Sequence, residues 1–394
     1  MKKILKVSHI LIITQVFPSG LSGTTVKTRE TIQYLLDKGY GVDVCCIHHP
    51  SMTTVAFKHP RLQMFIFEKN VLSYFSISYI LRAFHLLFSF LPFRIKKMYD
   101  SRLEKKMHLL LDSLNYSAIL FDGFSTLQYA KKYNNKYIYI DDEDITDLMW
   151  QRCQSSTNLL LKIFFFSEWL RCSFYEKKYL RFMNQIWAIS TNTKQRLEKL
   201  TSAKTTIMPT IVKQQQNVFS SASKQIIFTG LLSWLENREG LKWFLEHHWA
   251  FINSKLPDVK LMVTGQMPDQ ELAIYLSKFP QVNLKGYVPD LAKVYQQSAV
   301  SIAPILINSG IKVKVLTYLS YGIPVIALKQ TTWGMVELDG VVIGTEENFG
   351  QKVVDLLQNA QQRKLLSQAA VKNIYQNHST LTLDKFFKQV SINV

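Results

Sequence analysis

Acidic residues are scarce in this chain: 29 Asp and Glu stand against 47 Lys and Arg, a formal net charge of +18. The imbalance is uneven, because residues 1–210 carry 29 basic and 16 acidic side chains and the rest 18 and 13. A basic half of this kind suits an anionic membrane surface, a phosphorylated ligand or nucleic acid. No recognised nucleic-acid reader accompanies the charge, which argues against the last. Cysteine is sparse too. Cys45, Cys46, Cys153 and Cys172 form no C-x-x-C pair, and 394 residues need no disulfide to hold a core, so reduced thiols are expected.

Long uncharged apolar runs are also lacking. Stretches 71–97 and 159–182 are aromatic and apolar but interrupted by charge, so neither is expected to span a bilayer. As basic, aromatic segments they suit binding at a membrane surface. The start, "MKKILKVSHILIITQVF", imitates a secretory leader, yet Lys6, Ser8 and His9 break the run and no small-x-small cleavage site follows. It reads as a buried first strand.

What is present is alternation. Short apolar strands are expected at 9–17, 41–47, 62–68, 117–123, 136–141 and 185–190, with helical material between them, beginning with a helix over 24–39. A polar stretch, "VKQQQNVFSSASK", follows. A second series of strands is then expected at 225–230, 259–265, 281–288, 299–306 and 323–328. The fold expected is α/β, with two Rossmann-like, doubly wound parallel-sheet domains facing across a cleft. Residues 1–211 form the N-terminal domain, 212–224 a linker and 225–375 the C-terminal domain; 376–394 form a helix returning to the first.

Several segments of the second series resemble one family. "IIFTGLLSWLENREGLKWFLEHHW", "LMVTGQMPDQELAIY", "VNLKGYVPDLAKVYQQSAVSIAPI" and "SGIKVKVLTYLSYGIPVIAL" are similar, in order and spacing, to the C-terminal domain of glycosyltransferase family 4, the group 1 transferases of GT-B fold. The likeness is greatest to a bacterial branch with a G-I-K-x-K donor motif. Over residues 1–210 it is loose.

The resemblance implies a nucleotide-diphosphate sugar donor in the C-terminal domain. Gly310 would open a helix whose amides face the diphosphate, with Lys312 and Lys314 adding charge. Residues two apart on a helix point about 200° away from each other, so both lysines reach one phosphate only if Lys312 precedes the first turn. Gly230 and, in the first domain, Gly23 are further diphosphate candidates. Tyr287 would pack on the base. The family usually places an acid where Thr317 stands, and often one eight residues earlier, where Ser309 stands. Both are hydroxyl residues here, so the ribose subsite would lack its bidentate carboxylate.

The N-terminal domain is expected to receive a saccharide or lipid-linked saccharide acceptor. "IDDEDITDL" gathers Asp141, Asp142, Glu143, Asp144 and Asp147 after a strand. Asp141 and Asp144 are the candidate catalytic or acceptor-binding groups, with helix capping as the competing reading. No metal or other cofactor is expected, since transferases of this fold let basic groups and a helix dipole replace the cation. The implied activity is retaining hexosyl transfer in bacterial surface polysaccharide or glycoconjugate synthesis, in the cytoplasm at the inner membrane face. A nucleotide-sugar 2-epimerase, an altered or inactive partner subunit and a plain membrane-binding scaffold are the alternatives.

Overall fold

The computed structural model describes residues 8–19, 23–48, 50, 57–69, 89–131, 136–141, 143–220, 223–265, 269–307, 311–335 and 338–390. The stretch 70–88, with most of one expected surface-binding segment, and Ser309, Gly310 and Asp142 lie outside these. The chain forms two units, Met1–Met208 with Asp384–Val394, and Pro209–Leu383.

In the first unit, strand β1 (His9–Thr14) leads through helix α1 (Gly23–Asp37) to β2 (Gly41–His48) and β3 (Leu62–Glu68). Helices α2 (Phe93–Met98) and α3 (Ser101–Ser113) precede β4 (Tyr116–Asp122) and β5 (Tyr137–Asp141). Helices α4 (Ile145–Ser155) and α5 (Leu159–Leu180), strand β6 (Gln185–Ala188), helix α6 (Thr191–Glu198) and strand β7 (Lys204–Ile207) complete the series. The seven strands are parallel, in the order β3-β2-β1-β4-β5-β6-β7. Every residue of β2 and of β5 is buried, as happens when helices cover both faces of a parallel sheet. Edge strand β3 instead alternates between partly buried and exposed positions.

The second unit repeats the pattern. Strand β8 (Gln225–Thr229) is followed by α7 (Leu235–Phe244), β9 (Lys260–Thr264), α8 (Gln270–Leu276), β10 (Val282–Gly286), α9 (Leu291–Gln296) and β11 (Ser298–Ala303). Then come α10 (Val313–Ser320), β12 (Val325–Leu328), β13 (Val341–Gly344), α11 (Phe349–Gln358) and α12 (Ala360–Asn377). The order is β10-β9-β8-β11-β12-β13, again all parallel. Successive residues of a strand point to opposite faces. Ile226 and Phe228 therefore join the core under α7 and α11, while Ile227 joins the core under α10. The reversal of order between β8 and β11 puts a crevice at their carboxyl ends.

Segment 212–224, expected as a linker, falls in the second unit, where Val218 N donates to Tyr321 O and Asn217 Nδ2 to Ser367 Oγ. The last helix, α13 (Thr380–Val390), carries Phe386 and Phe387 edge-on against Trp187, and Phe387 stacks on Tyr34. Asp384 accepts from Tyr34 Oη and pairs with Lys38. These contacts close the core of the first unit with residues from the far end of the chain.

Candidate functional site

In the second unit three neighbouring strands end in glycine or run directly into one: Gly230 follows β8, Gly265 follows β9 and Gly286 ends β10. Gly230 N donates to Thr264 O, and Gly265 N to Gly286 O, which sets Gly230, Gly265 and Gly286 side by side. A Cβ on Gly265 would stand 1.7 Å from Gly230 O, so position 265 leaves no room for a side chain. At Gly286 a Cβ would meet nothing within 4 Å, and the following Tyr287 ring is exposed. The end of β8 is pinned from below by a buried phenol: Tyr318 Oη accepts from Thr229 N at 2.6 Å and donates to Thr229 O at 3.3 Å.

Lys312 stands at the N-cap of α10 with non-helical φ −87° and ψ 90°, before the first turn. That meets the geometric condition for both lysines to serve one anion. Lys314 lies within the first turn. Its Nζ donates to Asn237 Oδ1 at 2.6 Å and sits 4.2 Å from the centre of the Phe228 ring. Although the residue keeps some solvent exposure, protein surrounds its ammonium end. Burial, and then the like charge of Lys312, pull its pKa down to about 7. An anion placed beside it would reverse that shift.

Asn237 was not singled out as a site residue by the sequence, yet it joins the parts. Its Nδ2 donates to Leu231 O while its Oδ1 takes Lys314, so one buried amide orients both the loop after β8 and the lysine. Helix α7 approaches closely because residue 240 is glycine: a Cβ there would lie 1.9 Å from Pro304 O. Arg238, one residue on from Asn237, is engaged elsewhere, by Asp269 and Glu271 at the start of α8.

Thr317 is one turn beyond Lys314 on the same helix face. Its Oγ1 donates back to Val313 O at 3.0 Å, so the hydroxyl can accept a further hydrogen bond but has spent its proton on the helix. A surface hollow of about 200 Å³ lined by Gln225, Asp258, Lys260 and Gln297 lies at the opposite, amino ends of the strands, away from these groups.

In the first unit Gly23 opens α1. Nearby, Thr28 Oγ1 donates to Asp122 Oδ2 at 2.5 Å, tying α1 to the end of β4. Asp141, at the end of β5, and Asp144 are brought together, but around a cation. Arg196 of α6 places Nη2 2.8 Å from Asp144 Oδ1 and 3.5 Å from Asp141 Oδ2, and its guanidinium grips Glu176 as well. Asp144, in the left-handed region at φ 43°, also caps α4 by accepting from Asp147 N, and Thr193 donates to its Oδ2. Capping and ion pairing therefore occupy Asp144. Burial, followed by the charge of Asp144, pushes the Asp141 carboxyl up to about 7 despite Arg196. Its Oδ2 accepts no hydrogen bond.

Two parallel α/β sheets, of seven and six strands, are also the architecture found in comparisons with known proteins. Residues 223–359 match the sequence profile of the family described as glycosyl transferases group 1. A TarM variant from S. aureus, solved with fondaparinux, alpha-GlcNAc-glycerol and UDP, shares the fold with a TM-score of 0.68 at 11% identity, covering 98% of this chain and 100% of that one. Anabaena Alr3699/HepE with UDP and glucose gives 0.65 at 11% identity over 98% of this chain and 100% of the other. WaaG, a glycosyltransferase involved in lipopolysaccharide biosynthesis, gives 0.61 at 11% identity, covering 93% and 95%. An uncharacterised 44.6 kDa protein in the cps region of Klebsiella pneumoniae is 23% identical over 336 residues, 82% of this chain and 84% of that protein. Residues 223–359 thus carry a glycosyl transferases group 1 domain, and the chain has the GT-B fold of a glycosyltransferase enzyme.

Proposed function

We propose that the protein moves a sugar, with retention of anomeric configuration, from a nucleotide diphosphate to a saccharide or lipid-linked saccharide in surface polysaccharide synthesis at the inner face of the cell membrane. The observation that carries the donor half is the seating of Lys314: an ammonium set by Asn237 at the carboxyl end of β8, beside Lys312 and a side-chain-free glycine edge. Solved relatives of the same fold hold UDP, and one of them UDP-glucose. The relative from a cps region supports the setting.

The diphosphate rests on the first turn of α10, with Lys312 and Lys314 balancing the charge that grows on it as the glycosidic bond breaks. Gly230 lets backbone amides approach and Tyr287 packs on the base; Gly23, at the start of α1, is a separate diphosphate candidate on the first unit, and Gly310 is a candidate outside the described residues. Thr317 accepts one ribose hydroxyl; Ser309, the other ribose candidate, lies outside the described residues. On the acceptor side Asp141 is the candidate group, because its Oδ2 is buried and accepts no hydrogen bond; Asp144 holds Arg196 in place. The test is incubation with a panel of UDP-, GDP- and CMP-sugars and a membrane extract supplying acceptor. Nucleotide release that depends on both donor and acceptor is expected. Donor epimerised without acceptor would overturn the reading.

A further inference from the structure

Helix α5 is amphipathic the wrong way round. A surface helix ordinarily turns its apolar stripe inward and its charges outward. Here the inward face carries Glu168, Cys172, Tyr175 and Glu176, while Leu159, Ile163, Phe166, Leu170 and Phe174 point outward, 70%, 57%, 44%, 37% and 72% exposed. Their spacing of four, three, four and four residues lays them along one line, about 22 Å long at 1.5 Å per residue. Leu160 and Leu161 broaden its amino end. An unbroken apolar ridge of this length on a soluble face marks a contact surface.

The charges say what it contacts. Both acids of the helix are buried and neutralised, Glu168 by Arg171 at 2.6 Å and Glu176 by Arg196. The exposed charges of the helix, Lys162, Lys177 and Lys178, are all positive. A second copy packed antiparallel on this ridge would set Lys162 against Lys177 and Lys178, like charge on like. An anionic bilayer would face them with opposite charge. The turn carrying Phe90, 95% exposed, is tied to the same helix by Phe93 N donating to Glu168 Oε2.

We infer that helix α5 lies in the headgroup layer of an anionic membrane, with its Leu159–Phe174 ridge in the acyl boundary and its lysines on lipid phosphates. This assigns a surface to the membrane-face reading above and rests on it in part. No helix among the described residues is long and apolar enough to cross a membrane, so the contact is in-plane.

The test is cosedimentation with vesicles of phosphatidylcholine alone and of phosphatidylcholine with phosphatidylglycerol. Wild type should pellet with the anionic vesicles and be released by high salt. The triple variant Ile163→Asn, Phe166→Ser, Phe174→Ser, whose changes are all at exposed positions and whose melting temperature checks its fold, should bind at least tenfold more weakly. Lys177→Glu with Lys178→Glu should weaken binding to anionic vesicles only. Equal pelleting of wild type and the triple variant would overturn the assignment of this helix while sparing the membrane reading. Wild type free in the supernatant, or a dimer in analytical ultracentrifugation that the triple variant abolishes, would overturn the membrane contact itself. Nucleoside diphosphate binding without vesicles should be unchanged in every variant, which separates this surface from the transferase reading.

Discussion

Lys314 Nζ donates to Asn237 Oδ1 across 77 residues of sequence, and that bond holds the ammonium at the end of β8 while it sheds much of its affinity for a proton. The amide is neutral, so it orients the lysine without cancelling its charge. Asn237→Asp keeps the shape and supplies the missing charge. The resulting ion pair should raise the lysine pKa and compete with a diphosphate for it. We expect nucleoside diphosphate to bind about tenfold more weakly to Asn237→Asp in isothermal titration, on the scale of one charge-assisted hydrogen bond, with the free nucleoside little affected.

The same lysine sets a pH dependence. Its folded pKa is lowered to about 7, and a bound diphosphate raises it again. Above pH 7 the free protein therefore lacks a proton that the complex holds, so binding takes up protons and affinity falls as pH rises from 7 to 9. Titrations in buffers of different ionisation heat should register that uptake. In Lys314→Met both the uptake and the slope should disappear.

Thr317 tests the ribose subsite. Since its hydroxyl already donates to Val313 O, it can serve a ribose only as acceptor. Thr317→Val removes that acceptor and should weaken nucleotide binding by about 0.5–1.5 kcal/mol. Thr317→Glu restores a bidentate acceptor and should strengthen it. If calorimetry finds the same affinity in both variants, α10 does not touch a ribose.

Asp141 separates scaffold from chemistry. Its carboxyl is raised to about 7, so between the ordinary aspartate range and pH 7 the native state holds a proton that the unfolded chain has lost. Stability contributed through this group thus declines as pH rises across that window. Asp141→Asn should melt higher than wild type near pH 8 and closer to it near pH 4.5. If Asp141 also meets the acceptor, the variant should lose turnover and keep donor affinity; unchanged turnover would leave it a partner of Arg196.

Much of the fold was legible because a strand buried on both faces is a short apolar run, and "HILIIT", "GVDVCCIH" and "QIIFT" stand out as such. The missed strands, β7 and β13, are four residues each at sheet edges, where "KTTI" and "VVIG" are too short to form a pattern. The site was legible in part. Lys312 and Lys314 belong to one helix start and are neighbours in sequence. Asn237 reaches Lys314 only because β8 and β11 adjoin, and Arg196 meets Asp144 from 52 residues away, through the pairing of β5 with β6. Sequence placed the carboxylates together and was silent on the cation between them.

The most direct measurement is titration of nucleoside diphosphate and of the matching nucleoside into wild type and Lys314→Ala, after a melting panel has chosen the base. The diphosphate should bind wild type far better than the nucleoside, and the substitution should cost the diphosphate about 1.5–3 kcal/mol while leaving the nucleoside unchanged. Equal losses for the two ligands, or no loss for either, would contradict a diphosphate site on the first turn of α10.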